Sequence, residues 1–173
     1  MVFRQGHKRL SEAEVAARIW AAKAKLSKEM VILGHHYMSD AVIQFADYRG
    51  DSLELSRRAA QASEARYIVF CGVHFMAETA SILSRPDQIV LIPDVRAGCI
   101  MADMAETDEV EQAWADLDAL WPGDVTPITY VNSVASLKAF CGAHGGIACT
   151  SSNATKICRW ALDRTGHVLF VPD

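Results

Sequence analysis

Apolar positions along this chain fall first at helical spacing and then in short runs that return every twenty to forty residues. Ser11 and Glu14 have the spacing of a capping box, and Val15, Ile19, Ala22 and Leu26 follow at helical intervals. An amphipathic helix ending near residues 27–29 is predicted. The later runs are rich in β-branched residues and cover 31–33, 67–70, 89–92, 127–131, 147–149 and 168–171. Each of the first five meets a small polar loop and then a helical stretch. Helices are predicted at 40–47, 52–63, 76–83, at 100–104 or somewhat longer, and at 107–120, 133–140 and 153–164. Repeated strand–loop–helix units imply an α/β fold of small parallel sheets in αβα layers. The acidic helical stretch before Pro122-Gly123 suggests a division into residues 1–105 and 106–173, the second part incomplete.

Composition narrows the function classes. Half the residues, 51%, are hydrophobic and 22% are charged, so a packed core is available. The formal charge is −4, with Lys and Arg scattered, which argues against nucleic acid and anionic membranes as partners. No apolar run has the length of a membrane span, and the first residues, MVFRQGHKRLSEAE, lack a signal-peptide core. A soluble cytoplasmic protein is expected. The five cysteines, 71, 99, 141, 149 and 158, are odd in number and form no C-x-x-C pair. Neither a disulfide framework nor a self-contained zinc site is expected.

The chemistry-capable residues gather at the carboxyl ends of the predicted strands, where ligands of parallel α/β sheets collect. They are His35, His36, Tyr37, His74, Cys99, Asn132, Ser151, Ser152 and Asn153, whereas the opposite-end loops are mostly Pro, Gly, Ser, Arg and Asp. In GHHY, the rings can bind a metal, hold a substrate or fill a polar corner, and adjacent histidines are expected to face different ways, so that at most one enters a cleft. Tyr37 is suited to donating a proton. In GDSLELSRR, Asp51 or Ser52 is a natural N-cap, and the helix start also makes a carboxylate cradle. Tyr130 and Asn132 alternate with Val131 and project to one face, where Asn132 either recognises a carboxylate or forms a turn. In CTSSNA, capping explains one or two of four polar residues, leaving anion binding at the helix start as the sharper reading. A serine nucleophile is disfavoured because no G-x-S-x-G elbow is present. Cys99 follows a glycine in a loop and reads by itself as a buried, inert thiol. The other cysteines, with Met76, Met101 and Met104, read as packing residues.

Taken together and in order, GHHY, GDSLELSR, VFCGVHFMAETA, LIPDVRAGCIMADM, TYVNSVASLKAF and CTSSNA resemble the quinolinate synthase family, from about residue 30 to the end. The resemblance implies condensation of iminoaspartate with dihydroxyacetone phosphate to quinolinate, in NAD biosynthesis. It also implies a [4Fe–4S] cluster on three cysteines with one iron open as a Lewis acid. The implied fold is pseudo-threefold, built of similar αβα domains that meet at the cluster. Position by position, Cys99 matches the first cluster cysteine. His35, Ser52, Tyr130, Asn132 and Ser151 match residues that hold the dicarboxylate, and Tyr37 matches the proton-handling tyrosine. His36 and Met38 stand where relatives vary. The family's remaining cysteines, histidines and glutamate have no counterpart here, so the chain is expected to be an N-terminal portion completed in cis or in trans. The rival expectation is a dicarboxylate- or phosphate-binding module, or an inactive fragment, without a cluster.

Overall fold

The computed structural model describes residues 10–172. The expectation about a signal-peptide core rests largely on residues outside that range. Helix α1 (Glu12–Leu26) is capped as its spacing predicts, Ser11 accepting from the Glu14 N–H while Glu14 reaches back to the Ser11 N–H. It buries no residue fully, and Ala16 and Ile19 only lean on the sheet behind it. What fixes it is polar: Lys23 Nζ donates to Phe45 O at 2.7 Å and to Asp47 at 2.8 Å. Asp47 in turn accepts the Ile32 N–H.

A 3₁₀ turn (Ser27–Glu29) leads into β1 (Met30–His35). Then come α2 (Asp40–Ile43), β2 (Tyr48–Gly50), α3 (Ser52–Gln61), β3 (Tyr67–Cys71), α4 (His74–Leu83) and β4 (Ile89–Leu91). After a long loop follow α5 (Thr107–Leu120), β5 (Val125–Tyr130), α6 (Ala135–Ala143), β6 (Ile147–Cys149), α7 (Ala154–Thr165) and β7 (His167–Val171). All ladders are parallel and fall into two sheets, in the orders β2-β1-β3-β4 and β6-β5-β7.

Both faces of each sheet are covered, which is why the strands read as near-continuous apolar runs. In the first sheet, Val31, Leu33, Ile68 and Phe70 pack with Leu55 and Ala59 of α3 and Phe75, Met76 and Ala80 of α4. Ile32 and Cys71 turn to the other face, against Phe45 and α1. Burial of each of Leu33, Leu55 and Ile68, all 0% exposed, contributes about 1.5–3 kcal/mol. In β7, Leu169 and Val171 meet α5 and α6, while Val168 and Phe170 meet α7. The layers are those the sequence implies.

The differences are local. β2 was not predicted: Tyr48-Arg49-Gly50 has no apolar run, and as an edge strand its side chains stay largely exposed. The helix predicted at 100–104 is a series of turns, which leaves Met101 and Met104 exposed rather than packed. Met76 is buried, as expected. Helix α2 stops at Ile43, short of the predicted 40–47.

The two sheets are joined through α4 and α6. Glu78 of α4 accepts the N–H of Ala135, the first residue of α6, at 2.9 Å. Lys138 of α6 lies 5.6 Å from the centre of the Phe75 ring and donates to Ser133 O. Burial lowers its ammonium to about 8, against the attraction of Glu78.

Candidate functional site

The carboxyl ends of β1, β5 and β6 open onto one cleft of about 530 Å³ between the sheets. One wall is His35, His36 and the start of α3, from Asp51 to Glu54, with Arg57 one turn further on. Opposite stand Tyr130, Val131, Asn132, Thr150, Ser151 and Ser152. His35, Ser52, Tyr130, Asn132 and Ser151, which come from motifs far apart in the chain, are therefore neighbours. Tyr37 and Cys99 lie outside the lining.

His35 ends β1 and is 5% exposed. Burial, and then the neighbouring His36, hold its imidazole down at about 4, with Asp51 pulling weakly the other way. At neutral pH the ring is uncharged, one nitrogen donating and the other accepting. The Tyr37 N–H points at Nδ1 at a long 3.5 Å, a contact that favours the tautomer with its proton on Nε2. His36 corrects the expectation that adjacent histidines diverge. The chain turns immediately after the strand, breaking its alternation, so both rings line the cleft with centroids 4.1 Å apart. His36 Nδ1 faces Gly50 O at 3.3 Å, which ties this turn to β2.

Helix α3 begins at Ser52 because Asp51, not Ser52, is the N-cap, accepting the Glu54 N–H at 2.8 Å. The Ser52 hydroxyl is thereby left free. In CTSSNA the loop is organised by Asn153, whose Oδ1 accepts from Thr150 N at 2.7 Å and Thr150 Oγ1 at 3.3 Å. Ser152 bonds to Thr150 at 2.9 Å. Ser151 takes no part. Among the described residues, the hydroxyls of Ser52, Tyr130 and Ser151 and the amide of Asn132 make no hydrogen bond to protein, so the donors facing the cleft are available to a ligand.

Tyr37 runs the other way. Its ring lies 4.0 Å from that of His35, and its hydroxyl reaches Met76 Sδ at 4.0 Å. The side chain is 52% exposed; its partial burial, and then the nearby Cys99, push the phenol above the ordinary range, so it holds its proton at neutral pH. Cys99 is half-buried on a loop fastened by His74 N–H to Ala97 O at 2.7 Å and by Cys99 N–H to Asp103 at 3.2 Å. A side chain at Gly98 would come within 2.9 Å of that Asp103 oxygen. The expectation of a fully buried thiol holds for Cys71, Cys141 and Cys149 instead, and burial raises all three, Cys141 to about 11. Cys158 is half-buried against the Cys149 cluster. Among the described residues no group of three or more His, Cys, Asp or Glu side chains is placed to hold a metal ion. The donor set fits one thiolate corner of a cluster and no more.

Sequence reasoning passed over Arg57 and the cleft position of His36. For Arg57 the available signal was helical spacing, since it falls one turn beyond Leu53 and Glu54 on the same face.

A polar cleft at the carboxyl ends of parallel strands, lined by unengaged donors, defines an α/β protein of the ligand-binding, enzyme-like class. Residues 17–173 match the family model described as quinolinate synthetase A protein, and the chain belongs to that family. It is 54% identical over 167 residues to the quinolinate synthase of Anoxybacillus flavithermus and 53% identical to that of Geobacillus kaustophilus. The Halalkalibacterium halodurans quinolinate synthase is 50% identical over the same length. Each alignment covers 96% of this chain and 46% of the relative, so the chain spans about half the length of the curated relatives it matches.

Proposed function

We propose that this chain forms the dicarboxylate-binding part of a quinolinate synthase active site, condensing iminoaspartate with dihydroxyacetone phosphate in NAD biosynthesis. The observation that carries the reading is the single cleft lined by His35, Ser52, Tyr130, Asn132 and Ser151, with four of these side chains unengaged. A dicarboxylate suits such a lining. Neutral N–H and O–H groups can each donate to a carboxylate oxygen, and charge-assisted bonds of this kind are the strong ones. His35 would donate from Nε2, Ser52 and Ser151 from Oγ, and Asn132 from its amide.

Tyr37 is the proton donor in this reading. Its protonated phenol, against His35 on one side and Cys99 on the other, is poised between the cleft and the metal corner. Cys99 would hold one corner of a [4Fe–4S] cluster, whose open iron supplies Lewis-acid polarisation of a substrate oxygen when bound. The other thiolates would come from the remainder of the enzyme, in cis or in trans. We further propose that residues 1–105 and 106–173 are separate αβα domains with the cleft at their junction.

Calorimetric titration of the chain with malate, a stable dicarboxylate, tests the reading. Saturable one-site binding is expected, weakened by about tenfold in Ser52→Ala and in Asn132→Ala. Absence of saturable binding, or unchanged affinity in both variants, would overturn it.

A further inference from the structure

Asn132 reaches the cleft on a short turn, residues 131–134, between β5 and α6. Among the described residues its amide makes no hydrogen bond to protein, so its placement is left to the residues on either side. On one side the Val131 N–H donates to Cys149 O at 2.8 Å, tying the turn to the end of β6. On the other, Ser133 is 0% exposed and held twice. Its hydroxyl accepts from Thr129 Oγ1 at 2.9 Å, and its carbonyl accepts from Lys138 Nζ. The last of these tethers is the one that links the turn to the helix layer.

A lysine is a costly residue for that task. Its side chain reaches back past the start of α6, where the helix dipole opposes a cation. Burial opposes the charge as well, and only the attraction of Glu78 across the junction of the two sheets is set against it. An apolar side chain of similar length would pack under the Phe75 ring without either cost. We infer that Lys138 is a positioning residue: by holding Ser133 O it fixes the turn so that the Asn132 amide faces the cleft. Lys138 is absent from the cleft lining and acts only through that turn. This inference rests on the functional reading given above, and the two fail differently.

The test is a pair of double-mutant cycles, read by titrating the chain with malate. Lys138→Met should weaken malate by about fivefold to tenfold, at a melting temperature no lower than that of the wild type. In an Asn132→Ala background the same change should cost less than about twofold, because the group it positions is already gone. In a Ser52→Ala background, on the opposite wall, it should cost its full amount. Lys138→Gln, a neutral polar replacement, carries the same cycles if the Met variant does not fold. Equal losses in the Asn132→Ala and Ser52→Ala backgrounds overturn the inference, with or without a lower melting temperature, and make Lys138 a residue of the fold alone. If the wild-type chain binds malate and the Lys138 variant binds it within about twofold, the inference fails and the dicarboxylate site stands. If the wild-type chain does not bind malate, the functional reading fails and takes the inference with it.

Discussion

The cleft and the Cys99 loop are both built at strand ends, yet they are finished to different degrees. The cleft has two walls, one from each sheet, and its lining is held by its own backbone and caps: Asp51 sets α3, and Asn153 sets the loop after β6. The Cys99 loop has one wall. Val95 is 70% exposed and Ile100 88%, and Met101 and Met104 are also uncovered around a single half-buried thiol. This loop therefore presents to solvent apolar side chains of a kind the cleft lining does not. The contrast puts the proposed dicarboxylate site and the proposed metal corner on separable parts of the chain. Tyr37, which touches His35 and lies beside Cys99, is where they meet.

The largest effect that would sharpen this separation is all-or-none. In an enzyme completed by its remaining half, Cys99→Ala should abolish cluster assembly, read as iron and sulfide content, while malate affinity stays within about twofold. Cys141→Ala and Cys149→Ala should leave iron content unchanged, because those thiols are buried and raised rather than presented. Retained iron in Cys99→Ala, or loss in either of the others, would break the contrast.

A graded effect comes from the cleft side. The His35 imidazole has a folded pKa of about 4, below its ordinary 6.5. The unfolded chain therefore binds more protons between these values, and stability must fall as pH drops from about 6.5 toward about 4. Thermal melts over that range should show the decline, and His35→Gln should flatten it. A melt profile as steep in the variant would remove His35 as the cause.

The smallest effect is expected at the junction. Tyr37→Phe keeps the ring against His35 and removes only the hydroxyl, so malate affinity should stay within about twofold while turnover of the completed enzyme falls by about 100-fold. A binding loss as large as that of Ser52→Ala would place Tyr37 in the grip instead.

Much of this was legible in the sequence wherever side-chain pattern and backbone role coincide. Strands buried on both faces must be apolar, so β1, β3, β5 and β7 announce themselves, and Ser11 with Glu14 announces the first helix. β2 does not, because an edge strand is held by ladder hydrogen bonds that any side chain permits. Of the site, the strand-end loops could be listed from sequence, but their convergence depends on how two sheets are set against each other, which no local period encodes. The histidine pair shows the limit well: alternation predicts divergence, and one turn after His35 cancels it. Arg57 was missed for a related reason. It sits in the body of a helix, where an arginine reads as ordinary solvated surface until the opposite wall is known.

The cap that Glu78 lends to α6 carries one more implication. It belongs to both halves at once, since Glu78 stands on α4 of the first and Ala135 opens α6 of the second. The walls cannot part there without leaving an N–H of α6 unanswered and the Lys138 ammonium without its shelter. One carboxylate of the first half thus fixes where the second half's helix begins, and with it the wall that carries Tyr130 and Asn132.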